Sequence, residues 1–295
     1  MKIEVLFPEI CNLYGDLANI RYLKECLPEA EVIRTSLQTR PAFLDEPVDL
    51  VYMGTTTENG QVLALEQLRF YREEIFARVE EGMNFLITGN AMELFGESIE
   101  EDGEEVLRGL GLFPGVARRS SVNRFNSLFL GTFDPDPGKD PARASAALHP
   151  DGEEPRRDAL TANDLAPVEP DQEQEDGRMC VVGYKSQFGH IYGADGDTGL
   201  DHLALFTAGR GPGMNRYACG EGIRINNFFA TYVIGPLLIL NPPFTKWYIR
   251  HQLGVPVDEL AFEAAAMDSY TNRVKEYADP ATGLYYWGGT TQRWT

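Results

Sequence analysis

Residues 85–96, FLITGNAMELFG, have a pattern that could position a nucleophile. An apolar run predicts a buried strand, Gly89 follows in a sharp turn, and a short helical stretch comes next. A strand, a strained turn and a helix in this order form a nucleophile elbow, in which the residue at the turn attacks the substrate. Gly89 has no side chain to attack with, and Thr88 and Asn90 would point elsewhere. The alternative is that Gly89 only relieves strain where the backbone needs a positive φ.

A second polar stretch, GTTTENGQ at residues 54–61, follows a predicted strand and precedes a predicted helix. Backbone amides at such a turn can bind an anion. Three consecutive β-branched threonines make the stretch stiffer than a glycine-rich phosphate loop, so a plain turn is the alternative. GRGPG, at residues 209–213, precedes strand-like residues instead of a helix and predicts a turn.

The histidines have no spacing that suits a metal ion, and neither a metal nor another cofactor is expected. They are His149, His190, His202 and His251. His190, in SQFGHIYG, is near the end of a predicted strand, where a catalytic base could lie. A structural histidine with satisfied hydrogen bonds is the alternative.

The four cysteines are widely spaced and include no CxxC pair, which favours free thiols in a reduced, cytoplasmic protein. They are Cys11, Cys26, Cys180 and Cys219. Cys11 follows the first predicted strand and is the best placed of them to replace a missing nucleophile. A thiol without a cationic neighbour is usually inert, however.

Charge and composition exclude several classes of partner. The 295 residues include 26 Lys and Arg against 45 Asp and Glu, a net charge of −19, which argues against nucleic acid or an anionic membrane as the main partner. Apolar residues make up 43%, enough for a packed core. The longest apolar run, residues 228–240, is interrupted by Gly235 and Pro236 and is too short for a membrane span. The N-terminal residues do not resemble a signal peptide.

The elements that must position these residues alternate in the first third of the chain. Strands are predicted at residues 2–7, 31–35, 49–53 and 84–88, and helices at 15–27 and 61–81. Such alternation predicts a parallel sheet with right-handed crossovers, whose sites lie at the carboxyl ends of the strands. The loops after Phe7, Ser36, Met53 and Thr88 are therefore the candidate site loops.

The rest of the chain is richer in predicted strands. A hairpin is expected at residues 116–133, strands at 179–192, 203–206 and 223–233, and helices at 242–253 and 257–277. Residues 134–178 contain 13 acids, 5 bases and seven prolines but no aromatic residue, which predicts a disordered insertion between two strands. A plain acidic loop and a docking segment for a basic partner are both open. We therefore expect an α/β domain at 1–256, interrupted at 134–178, followed by a helix and aromatic tail at 257–295 that packs on the domain or on a partner.

A series of blocks in chain order carries a family resemblance. The blocks are FPEICNLYGDLANIRYLKECL (7–27), YMGTTTENGQ (52–61), EEGMNFLITGNAMELFG (80–96), RGLGLF (108–113), VNRF (122–125), CVVGYKSQFG (180–189) and ATYVIGPLLILNP (230–242). Together they resemble the CobB/CobQ-like class I glutamine amidotransferases, in particular the glutaminase subunits of lipid II isoglutaminyl synthase. The resemblance implies a three-layer α/β, flavodoxin-like fold with a mostly parallel sheet and antiparallel β additions.

The same resemblance implies where the family's catalytic groups would lie. Its cysteine nucleophile corresponds to Gly89 and its histidine base to Ile234, so neither catalytic position keeps its residue type. The glycine-rich oxyanion loop corresponds to residues 55–57, which are threonines. Glu93 replaces the glutamine after the elbow.

The resemblance also implies a binding set. Ser186 and Gln187 replace an asparagine–histidine pair of the family, and Arg124 matches the arginine that holds the substrate glutamine. The candidate substrate-binding residues are Arg124, Thr55, Thr56, Asn90 and Gln187.

This pattern favours a glutaminase fold without glutaminase chemistry. By resemblance the chain is a non-catalytic relative that docks on a Mur-ligase-like synthetase in the amidation of a cell-wall precursor. Two alternatives are open: an active glutaminase subunit that supplies ammonia to that synthetase, or a small-molecule-binding protein that uses the old pocket. Glutamine or a similar small molecule is the expected ligand.

Overall fold

The computed structural model describes residues 1–120, 124–136, 177–193, 199–283 and 285–286. The helices are α1 (Ala18–Cys26), α2 (Glu58–Leu68), α3 (Arg72–Glu80), α4 (Leu237–Leu240), α5 (Pro242–Trp247) and α6 (Glu263–Ala278). The first strands are β1 (Lys2–Leu6), β2 (Glu31–Thr35), β3 (Leu50–Met53), β4 (Phe85–Thr88), β5 (Ser98–Glu101), β6 (Glu104–Arg108), β7 (Gly115–Arg119) and β8 (Phe125–Phe133). The later strands are β9 (Met179–Gln187), β10 (Gly189–Gly193), β11 (Phe206–Arg210), β12 (Gly220–Glu221), β13 (Ile223–Ile225), β14 (Phe228–Thr231) and β15 (Tyr285–Tyr286).

The main sheet has six strands in the order β13–β14–β4–β3–β1–β2. Its neighbours pair in parallel except β13, which is antiparallel to β14. Side chains alternate between the two faces of a strand. Val51 and Met53 pack with α2 and α3, whereas Leu50 and Tyr52 pack with α1, α4 and α5. Helices therefore cover both faces, and the predicted three-layer α/β fold with a mostly parallel sheet is confirmed.

Two smaller sheets carry the antiparallel additions. One has the order β10–β7–β5–β6, and the other has the order β12–β11–β8–β15 with β9 on the second edge of β8. An aromatic cluster joins the second sheet to the main one, since the centre of the Phe133 ring lies 6.2 Å from that of Phe229 in β14 and 4.6 Å from that of Trp247 in α5. Helix α6 packs on β8 and β9 through Tyr270 and Val274. The division of the chain at residue 256 stays a prediction.

The expected hairpin at 116–133 is wrong. Strand β7 pairs with β5 and β10, whereas β8 pairs with β9 and β11 in another sheet. The strand expected at 179–192 is likewise two strands, β9 and β10, in different sheets. Both errors concern which strands pair with each other, and that pairing depends on residues far away in the chain.

Three other boundaries differ from expectation because of turns. The strand expected at 223–233 is a β13–β14 hairpin, and Asn226 turns the chain with a left-handed φ of +50°. Residues 201–203 form a 3₁₀ turn, so β11 begins only at Phe206. Helix α6 begins at Glu263, later than expected, since Phe262 has a left-handed φ of +57°. Among the described parts of the chain, no helix combines the length and the apolarity needed to cross a membrane.

The acidic insertion connects two paired strands, as predicted, although residues 137–176 lie outside the described residues. Strands β8 and β9 pair in antiparallel register over nine residues each, and Phe133 lies opposite Met179. Arg224 donates to the carbonyl oxygens of Asp134 at 2.9 Å and Pro135 at 3.2 Å. The two ends of the insertion therefore lie next to each other, close enough for a short loop to connect β8 to β9.

Deletion of residues 137–176 tests whether the fold depends on the insertion. The five remaining loop residues, 134–136 and 177–178, suit a hairpin connection, and the two carbonyl groups bound by Arg224 are kept. Shortening the loop lowers its closure entropy by about 2 kcal/mol at most. We expect the melting temperature to stay the same or to rise by a few degrees in a thermal melt. A fall of more than about 5 °C, roughly 1–2 kcal/mol for a protein of this size, would show that the insertion packs on the fold.

Candidate functional site

A small cleft lies at the carboxyl ends of β1, β3 and β4, where β9 and β10 meet the main sheet. Its volume is about 80 Å³, room for a few water molecules or one small polar group. The loops after Phe7, Met53 and Thr88 converge here as predicted. The loop after Ser36 does not, because β2 is the edge strand of the sheet. The cleft is lined by Leu13, Tyr14, Thr55, Thr56, Thr57, Glu58, Gln61, Asn90, Glu93, Arg119, Arg124, Ser186, Gln187, Phe188 and Gly189.

The side chain of Thr55 fills the space next to Gly89, the residue at the turn of the predicted elbow. Gly89 has the positive φ of +64° that the turn requires, so the sequence expectation about its backbone is confirmed. A Cβ atom at residue 89 would lie 2.0 Å from Thr55 Oγ1 and 2.8 Å from Thr55 Cβ. No side chain, and hence no cysteine, fits at position 89 while Thr55 keeps this place.

A buried carboxylate holds Thr55 there. Asp16 Oδ2 accepts hydrogen bonds from the Thr55 backbone N–H at 2.8 Å, from the Thr55 hydroxyl, and from Thr88 Oγ1 at 2.8 Å. Burial raises the pKa of Asp16, and its three donors act against that shift. Asp16 Oδ1 is buried without a hydrogen-bond partner in the described part of the chain.

The backbone of the threonine loop is also occupied. Asn90 accepts from the Thr56 N–H through Oδ1 at 3.0 Å and donates from Nδ2 to the Thr56 carbonyl at 2.9 Å. The Thr55 N–H already binds Asp16. An oxyanion hole needs donors aimed at empty space where charge develops. The Thr55 and Thr56 amides are used inside the protein instead.

Glu93 forms the floor of the cleft. Its two carboxylate oxygens accept from Gln61 Nε2 at 2.9 Å and Tyr232 Oη at 2.9 Å, and Arg119 Nη1 donates to Gln61 Oε1 at 2.9 Å. Burial raises the pKa of Glu93. A Cβ at Gly189 would lie 2.3 Å from Glu93 Oε1, so β10 crosses directly above this carboxyl group.

Position 234 lies at the same edge of the sheet as the elbow but has no base. Thr231 of β14 lies opposite Thr88 of β4, which places the segments after them side by side. Ile234 is 1% exposed, and its backbone bridges to Tyr184. It is not among the cleft residues.

The other candidate catalytic groups are also disfavoured. Burial lowers the pKa of His190 to about 4, and Gln187 Nε2 lies 3.3 Å from His190 Nδ1, which fits a neutral ring accepting a hydrogen bond there. Burial raises the pKa of Cys11 to about 12, so its thiol is poorly suited to act as a nucleophile. Within the described ranges, no group of His, Cys, Asp or Glu side chains is arranged to hold a metal ion.

The five candidate binding residues all line the cleft: Arg124, Thr55, Thr56, Asn90 and Gln187. Arg124 is exposed, and its guanidinium lies 4.6 Å from the centre of the Phe188 ring. The two threonines and Asn90 bind one another or Asp16, and the buried Gln187 donates from Nε2 to the Gly189 carbonyl. Arg124 is therefore the most solvent-accessible of the five. Their role in binding stays a prediction.

Sequence analysis missed several residues of the site: Asp16, Arg119 and Tyr232. Asp16 lies in a loop that was a candidate, but its pairing with Thr55 depends on how β1 and β3 lie in the sheet. Arg119 lines the cleft from the end of β7, whereas Tyr232, which follows β14, donates a hydrogen bond to Glu93. An arginine at the end of an exposed-looking strand, next to Arg118, is the one local signal that could have drawn attention.

Substitution of Gly89 tests the closure of the elbow. Gly89→Ala should destabilise the protein by about 3 kcal/mol or more in urea unfolding, because it combines a left-handed backbone with a steric clash. Gly254→Ala is the matched control, since its φ is +66° and nothing lies within 4 Å of the added Cβ. That control should cost about 1 kcal/mol. Adding Thr55→Gly to Gly89→Ala should recover about 1–2 kcal/mol in a double-mutant cycle, and strict additivity would contradict the clash.

The lowered pKa of His190 predicts a specific pH dependence. Between pH 6.5 and about 4 the unfolded chain takes up a proton at this histidine and the folded chain does not. His190 therefore lowers the free energy of unfolding as the pH falls through that window. In His190→Gln this part of the acid sensitivity should disappear, so the variant should gain stability relative to the parent between pH 7 and pH 4. His251→Gln, at an exposed position, is the control, and parallel pH profiles for parent and His190→Gln would refute the assignment.

Comparison with known proteins finds a relative in sequence. The chain is 21% identical over 243 residues to the GatD subunit of the glutamine-hydrolysing lipid II isoglutaminyl synthase of Streptococcus pneumoniae strain R6, covering 82% of this chain and 76% of that protein. No family model matches the chain.

Two solved structures also resemble it. PurLQS from Thermotoga maritima has a TM-score of 0.45 at 12% identity and covers 92% of this chain and 98% of that one. The glutaminase domain of Trypanosoma brucei CTPS, with bound acivicin, has a TM-score of 0.40 at 9% identity, with 99% and 98% covered. Over most of its length, the chain is thus similar in sequence to a subunit of a glutamine-hydrolysing synthase.

Proposed function

We propose that this chain is a non-catalytic relative of glutamine amidotransferase subunits, which keeps the fold and a small polar cleft without hydrolysing glutamine. The observation that carries the proposal is the position of Thr55, whose side chain fills the space that a nucleophile at residue 89 would need. Removing the nucleophile of a catalytic triad lowers the rate roughly 10⁶-fold, about 8 kcal/mol in the barrier.

Two further features support the same conclusion. Ile234 cannot accept a proton, and it is buried and not among the residues that line the cleft. The Thr55 and Thr56 amides bind Asp16 and Asn90, so they do not face a developing oxyanion. These losses affect the nucleophile, the base and the oxyanion donors, which act as one unit in such enzymes.

We further propose that the chain docks on a Mur-ligase-like synthetase that takes part in amidation of a cell-wall precursor. The support is its similarity to a protein whose name makes it a subunit of lipid II isoglutaminyl synthase. A chain with a net charge of −19 is suited to a partner with a basic docking face. Such a partner would use the chain as a scaffold or as a sensor of whatever occupies the cleft.

The test of the catalytic proposal is a glutaminase assay on the full chain, alone and with the synthetase partner. We expect no ammonia release above background in either sample. Turnover by the unmodified protein that disappears in Cys11→Ser would overturn the proposal and make Cys11 a relocated nucleophile.

Introducing a cysteine at position 89 and a histidine at position 234 tests more directly whether Thr55 prevents catalysis. Gly89→Cys with Ile234→His should remain inactive, because Thr55 still occupies the position of the new thiol. Adding Thr55→Gly should permit trace glutamine hydrolysis, still at least about 10³-fold below an intact triad enzyme because the oxyanion donors are not rebuilt. Equal activity with and without Thr55→Gly would show that Thr55 does not control the position.

The docking proposal is tested by affinity capture from the native organism with the full chain as bait. We expect a Mur-ligase-like synthetase to be recovered in equimolar amount after gel filtration. A chain that elutes alone, with the synthetase present in the lysate, would contradict this part of the proposal and leave the catalytic part untouched.

The cleft should still bind a small polar molecule. The exposed Arg124 guanidinium can hold a carboxylate, so we expect weak binding of glutamine, without turnover, by calorimetry. Arg124→Ala should weaken that binding about tenfold, since a charge-assisted hydrogen bond contributes about 1.5–3 kcal/mol. Arg118→Ala is the matched control, because Arg118 is exposed on β7 and is not among the residues that line the cleft. An equal loss in both variants would argue for a general charge effect.

A further inference from the structure

Two side chains that line the cleft each have a buried polar atom without a hydrogen-bond partner among the described residues. They are Nε of Arg119 and Oε1 of Gln187. The Arg119 side chain is 9% exposed, and its Nε lies 3.4 Å from a Glu101 oxygen without forming a hydrogen bond. Gln187 is 4% exposed. Buried polar atoms are rarely left unpaired, so the two atoms point to a ligand that supplies one acceptor and one donor.

The bonds around these atoms decide which of them accepts. Gln187 Nε2 donates to the Gly189 carbonyl at 2.7 Å, so the oxygen is the end of the amide that remains for a ligand. Arg119 lies opposite Gly189 in the β7–β10 pair, and its Nη1 donates to Gln61 Oε1 at 2.9 Å. A ligand beside the two side chains therefore has to accept from the Arg119 Nε–H and donate to Gln187 Oε1.

The charged side chains of the cleft favour an anion. Arg119 and Arg124 both line it. Two acids line it as well, but Glu58 is exposed to solvent, and both oxygens of Glu93 already accept hydrogen bonds within the protein. Burial also raises the pKa of Glu93, which favours its uncharged form. Two guanidinium groups therefore face a single exposed carboxylate.

The start of α2 adds backbone donors. Thr57 is the N-cap residue of this helix, and both Thr57 and Glu58 line the cleft. Thr57 Oγ1 accepts a hydrogen bond from the Gly60 N–H at 3.0 Å. The N–H groups of Glu58 and Asn59, in the first turn, have no acceptor inside the helix and suit an anion. The helix end therefore favours the same sign of ligand as the two arginines.

Few small anions also carry a hydrogen-bond donor. A carboxylate has acceptor oxygens only, as does sulfate, and a phosphate monoester loses its last proton at about pH 6. Inorganic phosphate keeps one hydroxyl group at neutral pH, in the form of hydrogenphosphate, beside oxygens that accept. Hydrogencarbonate has the same groups but a single charge, whereas the two charges of hydrogenphosphate match two arginines. The phosphate ion is also small and compact, which suits a cleft of about 80 Å³.

We propose that the cleft binds inorganic phosphate as hydrogenphosphate. The phosphate oxygens accept from Arg119 Nε and from the Arg124 guanidinium, and the phosphate hydroxyl donates to Gln187 Oε1. The inference goes beyond the proposed function and does not depend on it, because these contacts use neither position 89 nor position 234. Glutamine and phosphate then compete for the cleft, since both use Arg124.

Calorimetry on the full chain, in a phosphate-free buffer at about pH 7.5, tests the inference. Sodium phosphate should bind at a single site with a Kd of about 1 mM or tighter, as expected of a few charge-assisted hydrogen bonds. Sodium sulfate and sodium hydrogencarbonate, at matched ionic strength, should each bind at least about tenfold more weakly. Sulfate cannot donate to Gln187, and hydrogencarbonate has one charge fewer.

Substitutions separate recognition of the hydroxyl group from recognition of the charge. Gln187→Leu should weaken phosphate binding about tenfold and leave sulfate binding unchanged, because only phosphate donates to residue 187. The ratio of the two affinities is the readout, since a purely structural loss would weaken both ions. Arg119→Lys should weaken both ions, because lysine keeps the charge but lacks the guanidinium Nε–H. Arg118→Lys, at an exposed position of β7 that does not line the cleft, is the matched control and should change neither.

Three results would overturn the inference: no phosphate binding by the parent chain, sulfate or hydrogencarbonate binding as tightly as phosphate, or an equal loss of phosphate and sulfate binding in Gln187→Leu. The first two need no variant, so the inference stays testable if a variant fails to fold. The glutaminase assay is a separate measurement. Turnover would refute the non-catalytic assignment and leave phosphate binding standing, whereas absence of both turnover and phosphate binding would refute phosphate binding alone.

Discussion

A single buried carboxylate fixes the geometry of the cleft. Asp16 uses one oxygen to accept three hydrogen bonds, two from Thr55 and one from Thr88. An ionised carboxylate is costly to bury unless donors surround it, and here the donors come from the loop after β3 and the end of β4. The carboxylate therefore links the loop after β1 to the loop after β3 and to the end of β4. Its most important consequence is that Thr55 is held above Gly89.

The identities of residues 55 and 89 are coupled by this arrangement. With Thr55 in place, a residue larger than glycine cannot occupy position 89. Because Thr55 also lines the cleft, a smaller residue at 55 would leave this packing unfilled and enlarge the cleft. The Thr55 side chain and Gly89 form a close packing contact at the turn after β4.

The sequence predicted the parts of this structure that local patterns control. β2 was predicted with the bounds observed, and β1, β3 and β4 to within one residue at either end, because apolar runs flanked by turn residues mark buried strands. The equivalence of Gly89 and Ile234 to catalytic positions came from resemblance, and the sheet places both at one edge. The prediction of a hairpin at 116–133 was wrong, and the roles of Asp16 and Arg119 were not predicted. Both failures have the same cause. Which strand pairs with which, and which side chains then meet, depends on contacts between residues far apart in the chain.

The cleft is lined mainly by polar and charged side chains, several of which are buried. Gln61, Glu93 and Arg119 form a hydrogen-bonded chain below it, and the buried carboxyl group of Glu93 has a raised pKa. Replacing such a network with apolar residues of similar volume is often neutral or stabilising, so stability alone does not explain why it is present. A polar network with unpaired atoms at its margin is better explained by a group that completes it. Among the described residues, Nε of Arg119 and Oε1 of Gln187 are buried without a hydrogen-bond partner, and a small ligand or a partner subunit could supply the missing groups.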